Sequence, residues 1–143
     1  MDNQRPLAVT AVTQQIKPAI YPNVDDEANI LVEYPRAVGI IQGSWNWTSN
    51  RKDFEVYGER ASAIATGGNS LRVRFGNKAE EARTPEPLRA DDRDSVAYLV
   101  SVVRGKRAVS GLSSLENNMI VTQILAAARE SARSGRKVRL DGR

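Results

Sequence analysis

Along the first two-thirds of the chain, apolar and polar positions alternate with the period of two that belongs to strands. Leu7–Ile16 is rich in β-branched residues and is closed by Pro18, Pro22 and Asn23. Ala28–Tyr34 sets Ala28, Ile30, Val32 and Tyr34 on one face, and Pro35 and Arg36 follow as a tight connection. Ala37–Trp47 reads as a longer strand, with Gly39 and Gly43 marking bulges or close backbone approach. Thr48-Ser49-Asn50 is a turn, and Asp53–Tyr57 returns with Phe54 and Val56 on one face. Ala61–Thr66 and Ser70–Phe75 flank Gly67-Gly68-Asn69, a hairpin signal. Strands joined by short turns pair antiparallel, because a parallel pair needs a long crossover. Residues 77–90 are charged, carry Pro85 and Pro87 and show no period, which predicts a loop or lid over 77–91.

The period then changes to that of a helix. Asp91 or Asp92 can cap a helix over 92–104, in which Val96, Leu99, Val100 and Val103 share a stripe. Gly105 stops it, and Arg104, Lys106 and Arg107 sit where the negative helix end favours cations. A second helix over 114–134 opens at Ser113-x-x-Glu116, a capping-box pattern, and ends at Ser134-Gly135. Its predicted apolar stripe is Val121, Ile124, Leu125, Ala128 and Ala132. Val138 and Leu140 mark a final strand over 136–140. The expected architecture is α+β (an α/β two-layer arrangement) in a single domain, residues 1–143. A mostly antiparallel sheet of about six or seven strands, built chiefly from residues 7–76, carries the two C-terminal helices on one face.

Composition narrows the chemistry. A chain of 143 residues buries about 68–70% of its unfolded surface, so it needs no metal or disulfide to hold a core. It has no histidine and no cysteine. That excludes Cys/His zinc sites, iron–sulfur clusters, Cys nucleophiles and any triad needing an imidazole. The same absences inflate the pI of 9.7, since the net charge is only +4 and little titrates near neutrality. Residues 1–103 carry net −2 and residues 104–143 net +6. Arg129, Arg133, Arg136, Lys137, Arg139 and Arg143 are accounted for by a helix end and an edge strand protected by charge. They are not interleaved with stacking aromatics, so no nucleic-acid partner is expected. The polar start Met1–Pro6 and the lack of an 18-residue apolar run point to no membrane partner and a cytoplasmic location.

Few residues carry candidate chemistry. Asp25-Asp26-Glu27 and Asp91-Asp92-x-Asp94 could attract a hard cation, but capping and solvated turns explain both, and no metal site is assigned. No G-x-G-x-x-G or Walker A sequence is present, so no cofactor-binding residue is assigned either. The aromatic cluster is more pointed. Trp45 and Trp47, two apart in an expected strand, would project from one face, with Asn46 between them and Arg51, Lys52 and Tyr57 across the turn. Such a surface suits a sugar-like or carboxylated ligand, or a partner. The reading favoured over a ligand site is that the tryptophans pack beneath the helices or in a sheet-to-sheet dimer contact.

Two stretches carry a family resemblance. Val24–Gly58 includes Asp26-Glu27-Ala28 at a strand entry, Trp45-Asn46-Trp47, and Val56-Tyr57-Gly58 at a strand end. Ser114–Leu140 is a closing helix that runs into Ser134-Gly135-Arg136-Lys137-Val138-Arg139-Leu140. Together they resemble the C-terminal domain of the glucose–fructose oxidoreductase / inositol dehydrogenase / rhizopine-catabolism (Gfo/Idh/MocA) family, over residues 7–140. The resemblance implies a large antiparallel sheet with helices on one face and an open face that makes the contact in a homo-oligomer, in the first place a dimer. It also implies NAD or NADP bound by a Rossmann domain, and hydride transfer on sugars and polyols. The family's dinucleotide fingerprint, its Glu-Lys-Pro lysine and its Asp…His pair belong upstream of the matched segment. No catalytic residue carries over, and the chain is expected to bind no cofactor and to be inactive alone, as a truncated product or a separated domain. The alternative is a stand-alone module that binds a carbohydrate or an acidic small molecule.

Overall fold

A computed structural model describes residues 4–67 and 70–140. The chain divides into two units, the first made of Met1–Asn46 with Tyr98–Arg143 and the second of Trp47–Ala97. The single sheet expected from the short turns is instead two four-stranded antiparallel sheets, one in each unit.

The first sheet has the order β3-β2-β1-β8. Its strands are β1 (Ala8–Gln14), β2 (Glu27–Tyr34), β3 (Ala37–Ser44) and the two-residue β8 (Val138–Arg139). Pro35 and Arg36 join β2 to β3 as expected. The register sets Val9 opposite Val32 and Ala11 opposite Ile30, which places all four on one face. Against them packs α2 (Leu115–Ser134), through Ile124, Ala127 and Ala128, to form the buried core. Val12, Leu31, Val38 and Ile40 alternate onto the opposite face and stay exposed.

The contact face of α2 differs from the expected stripe. Ile124 and Ala128 are buried and Ala132 is half-buried, but Val121 and Leu125 are exposed, and Ala127 and Ser131 take their place. The reason is close approach, since small side chains let the helix settle onto the sheet. Ser131 does more than fill space. Its hydroxyl accepts the backbone N–H of Ala11 at 2.9 Å. The pairing of β8 with β1 covers only Ala8 and Val9, so beyond it the sheet offers Ala11 no strand on that side.

Both ends of α2 are defined. The cap is Ser114, one residue beyond the expected Ser113, and its Oγ accepts from Asn117 N–H at 3.2 Å. Gly135 closes the helix at φ 66°, a left-handed conformation that favours glycine. The preceding helix, α1 (Ser95–Val103), is shorter than the expected 92–104 and is capped by Asp94, whose Oδ1 accepts from Ala97 N–H at 2.8 Å. Its expected stripe is not its buried side: Val96, Leu99, Val100 and Val103 are exposed, whereas Tyr98 and Ser101 are buried. Tyr98 fixes that side, since its hydroxyl accepts from Ser110 N–H at 2.9 Å and the Arg107 guanidinium lies 4.7 Å from the ring centre. The two-helix layer therefore reduces to α2 on the first sheet.

The second sheet has the order β4-β5-β6-β7, from β4 (Asp53–Tyr57), β5 (Ala61–Thr66), β6 (Ser70–Phe75) and β7 (Glu81–Arg83). The segment expected as a loop or lid thus contributes a strand, followed by a 3-10 turn at Ala90–Asp92. Arg72 and Glu80, 2.9 Å apart, help hold it there. Gly67 enters the β5–β6 hairpin at φ 66°; the remainder of that turn signal, Gly68 and Asn69, lies outside the described residues. Register gives one face Phe54, Val56, Ala63, Ala65, Leu71 and Val73, and the other Glu55, Tyr57, Arg72 and Arg74.

Candidate functional site

The expected aromatic strand face does not form. β3 ends at Ser44, so Trp45 and Trp47 follow the strand rather than project from it, and they fall in different units. The cause lies in the backbone: Asn46 N–H turns back to Ser44 Oγ at 3.0 Å, which interrupts the extended run. The six expected site residues therefore separate into Trp45 and Asn46 in the first unit, and Trp47, Arg51, Lys52 and Tyr57 in the second.

In the first unit the organising residue is Asp26, 3% exposed. Its carboxylate accepts the backbone N–H groups of Ile16 at 2.7 Å and Lys17 at 2.8 Å, clamping the start of the β1–β2 connection. Its carbonyl accepts from Trp45 N–H at 2.9 Å and from Asn46 Nδ2 at 3.2 Å. Gln15 Nε2 bonds the Tyr21 carbonyl at 2.6 Å, and the Tyr21 ring lies 4.9 Å from that of Trp45, tilted by 52°. Burial pushes the Asp26 carboxyl up, but the N–H groups of Ile16 and Lys17 and the Asn46 amide outweigh it and hold it below the ordinary carboxylate value. Trp45 itself remains 59% exposed. Asn46 Oδ1 is buried with no hydrogen-bond partner among the described residues. The acidic triplet is thus not a solvated turn at its centre, because Asp26 is buried and each of its carboxylate oxygens accepts a backbone N–H.

In the second unit the Arg51 guanidinium lies 5.4 Å from the centre of the Trp47 ring and pairs with Asp53. The Asp53 hydrogen bond and charge raise the Arg51 pKa further. Lys52 is exposed, and its carbonyl accepts from Gly67 N–H at 3.3 Å. Tyr57 donates to Glu55 at 2.8 Å, and that hydrogen bond, then the Glu55 charge, raise the phenol above its ordinary pKa. These contacts pair Arg51 with Asp53 and Tyr57 with Glu55. Sequence reasoning missed Tyr21, Gln15 and the structural use of Asp26, whose partners are backbone atoms that no side-chain spacing displays.

Among the described residues, no group of three carboxylates gathers in a way that could hold a metal ion, and no helix is long and apolar enough to cross a membrane. Comparison with known proteins shows what the chain is similar to. Residues 3–64 match the family model described as the GFO/IDH/MocA C-terminal domain. No curated protein matches in sequence. Among solved structures, an aldose–aldose oxidoreductase from Caulobacter crescentus, complexed with glycerol, aligns over 96% of this chain at 20% identity and a TM-score of 0.76. An inositol dehydrogenase homologue from Azotobacter vinelandii, complexed with NAD+, aligns over 95% at 18% identity and a TM-score of 0.72. An oxidoreductase from Pseudomonas syringae aligns over 98% at 17% identity and a TM-score of 0.71. At such identities the likeness is one of fold. The chain spans 42%, 43% and 47% of the length of these three structures.

Proposed function

We propose, for a chain that carries the C-terminal domain of the GFO/IDH/MocA family over residues 3–64, the role of substrate-side and oligomerising domain in an NAD(P)-dependent oxidoreductase of sugars or polyols. The match of residues 3–64 carries this reading; the fold shared with the longer structures supports it. In the reading, NAD or NADP is bound by a dinucleotide-binding domain and this chain alone has no dehydrogenase activity. An anion-binding strand–turn–helix with a glycine-rich turn is what a dinucleotide needs, and the sequence has no such glycine pattern. Calorimetric titration with NADH and NADPH is expected to give no binding heat; micromolar affinity for either would overturn this part. The oligomer contact is assigned to the open face of the first sheet, where Val12, Leu31, Val38 and Ile40 are exposed. A charge at Val12 (Val12→Lys) is expected to weaken self-association measured by sedimentation equilibrium. Unchanged association would remove the face from the reading.

A further inference from the structure

A long ordered connection needs its own explanation, because every residue held in one conformation gives up chain entropy. β2 and β3 are joined through Pro35 and Arg36, whereas β1 and β2 are joined through residues 15–26. The core against α2 takes no side chain from that longer connection, and Ile16, Ile20 and Val24 on it are exposed. Apolar burial therefore does not order it.

Polar ties do. At the base, Asp26 N–H donates to the Gln14 carbonyl at 3.0 Å and stays on the ladder. The two Asp26 carboxylate oxygens take Ile16 N–H and Lys17 N–H. The Lys17 carbonyl accepts Ile20 N–H at 3.0 Å and Tyr21 N–H at 2.9 Å, a turn that carries Tyr21 outward. Gln15 Nε2 donates to the carbonyls of Tyr21 and, at 3.5 Å, Val24. The far contact is aromatic, the Tyr21 ring against that of Trp45. Asp26 serves both partners of that contact. Its carbonyl accepts Trp45 N–H and places Trp45, while its carboxylate holds the turn that brings Tyr21 there.

We infer that residues 16–25 are a strap that closes over the Trp45 ring and opens from it as one piece, hinged at Gln14 and Asp26 and latched by the Asp26 carboxylate. Opening costs the sheet none of its core, because the strap buries no apolar side chain there. Hydrogen bonds to a carboxylate are stronger than neutral ones, so the closed form has one defined geometry. Opening breaks the bonds at Ile16 and Lys17 together with the ring contact. It spares the bonds of Asp26 N–H to Gln14 and of Trp45 N–H to the Asp26 carbonyl. Trp45 therefore keeps its place while the side of its ring that met Tyr21 is freed. The strap does not depend on the oxidoreductase reading, since it follows from contacts within the first unit.

Amide exchange on the unaltered chain across a urea series reads the opening directly. The amides of Ile16 and Lys17 are expected to share one opening, less costly than that of Ile30 and Val32 and nearly independent of urea. A steep urea dependence in common with Ile30 and Val32 would mean that the segment opens only with the sheet, and would overturn the strap. Unequal openings at Ile16 and Lys17 would overturn it too. Near-UV circular dichroism follows the far end. Tyr21→Leu removes the ring pair, so the band it loses belongs to that pair; if it loses none, the contact is overturned. Asp26→Asn puts an amide nitrogen, which cannot accept, where one carboxylate oxygen stood. It is expected to lose the same band with the far-UV spectrum kept, and to speed exchange at Ile16 and Lys17 by about tenfold or more. If it keeps the band, the carboxylate is not the latch. If Asp26→Asn does not fold, Gln15→Ala carries the test, since it removes the donor to the Tyr21 and Val24 carbonyls. It is expected to weaken the band, and an unchanged band would overturn the strap.

Discussion

Single residues hold the first unit together where the sheet runs out of partners. Ala11 N–H lies beyond the reach of β8, and Ser131, 1% exposed, supplies the acceptor from α2. Ser131→Ala removes the acceptor and leaves a buried donor unpaired, at an expected cost of about 1–3 kcal/mol in urea unfolding. A loss below a few tenths would mean that water takes the place of the hydroxyl. Asp26 works the same way at the other end of β1. Its folded pKa lies below the unfolded value, so its stabilisation is present above the unfolded value, about 3.9, and fades as pH falls through the folded one. Asp26→Asn is therefore expected to destabilise at neutral pH and to flatten the acid limb of stability against pH. An acid limb identical to that of the unaltered chain would show that another carboxylate sets it. Neither role is legible in the sequence. Ser131 looks like an ordinary polar helix residue and Asp26 like one member of a charge run, because both act on backbone groups placed by tertiary structure.

Elements are more legible than contacts. Strands, two-residue connections and helix stops follow from period, proline and glycine, all local signals, and β1, β2, β3 and α2 lie within a few residues of expectation. Faces are harder to read for a physical reason. The expected stripe on α2 gives weight to bulk, but the helix meets the sheet through Ala127, Ala128 and Ser131, leaving Val121 and Leu125 exposed. The Trp45–Trp47 cluster fails similarly: a period of two holds only while the backbone stays extended, and Ser44 ends that. End signals can be tested directly. Ser114 accepts from Asn117 N–H, and Ser114→Ala is expected to cost about 1 kcal/mol, whereas Ser113→Ala should lie within a few tenths of the unaltered chain. Thermal denaturation of the two variants side by side decides between the observed cap and the one suggested by the capping-box spacing.

At the scale of the molecule, the resemblance to the GFO/IDH/MocA C-terminal domain is legible because it lies in contiguous stretches, one of which overlaps the residues 3–64 that the family model matches. The division into two sheets is not, because short turns say which strands are neighbours and not where a sheet stops. The division has a thermodynamic consequence. Every buried hydrophobic residue among the described residues, from Ala8 to Ala128, belongs to the first unit. The second unit keeps a row of apolar side chains half-exposed or exposed, with Phe54 72% exposed. Local stability follows buried apolar contact, so regions open separately according to how much they bury. Amides of β1, β2 and α2 are accordingly expected to exchange only through global unfolding, whereas those of β4, β5 and β6 exchange through smaller openings at lower free energy. Hydrogen exchange across a urea series distinguishes the two classes, because global openings speed up steeply with denaturant and local ones do not. If β4–β6 join the slow class in dilute solution, burial within the second unit cannot be what protects them. If they join it only at high concentration, an association covers their apolar face. Exchange confined to the global class in both sheets at every concentration would show that the chain unfolds as one cooperative body despite its uneven core.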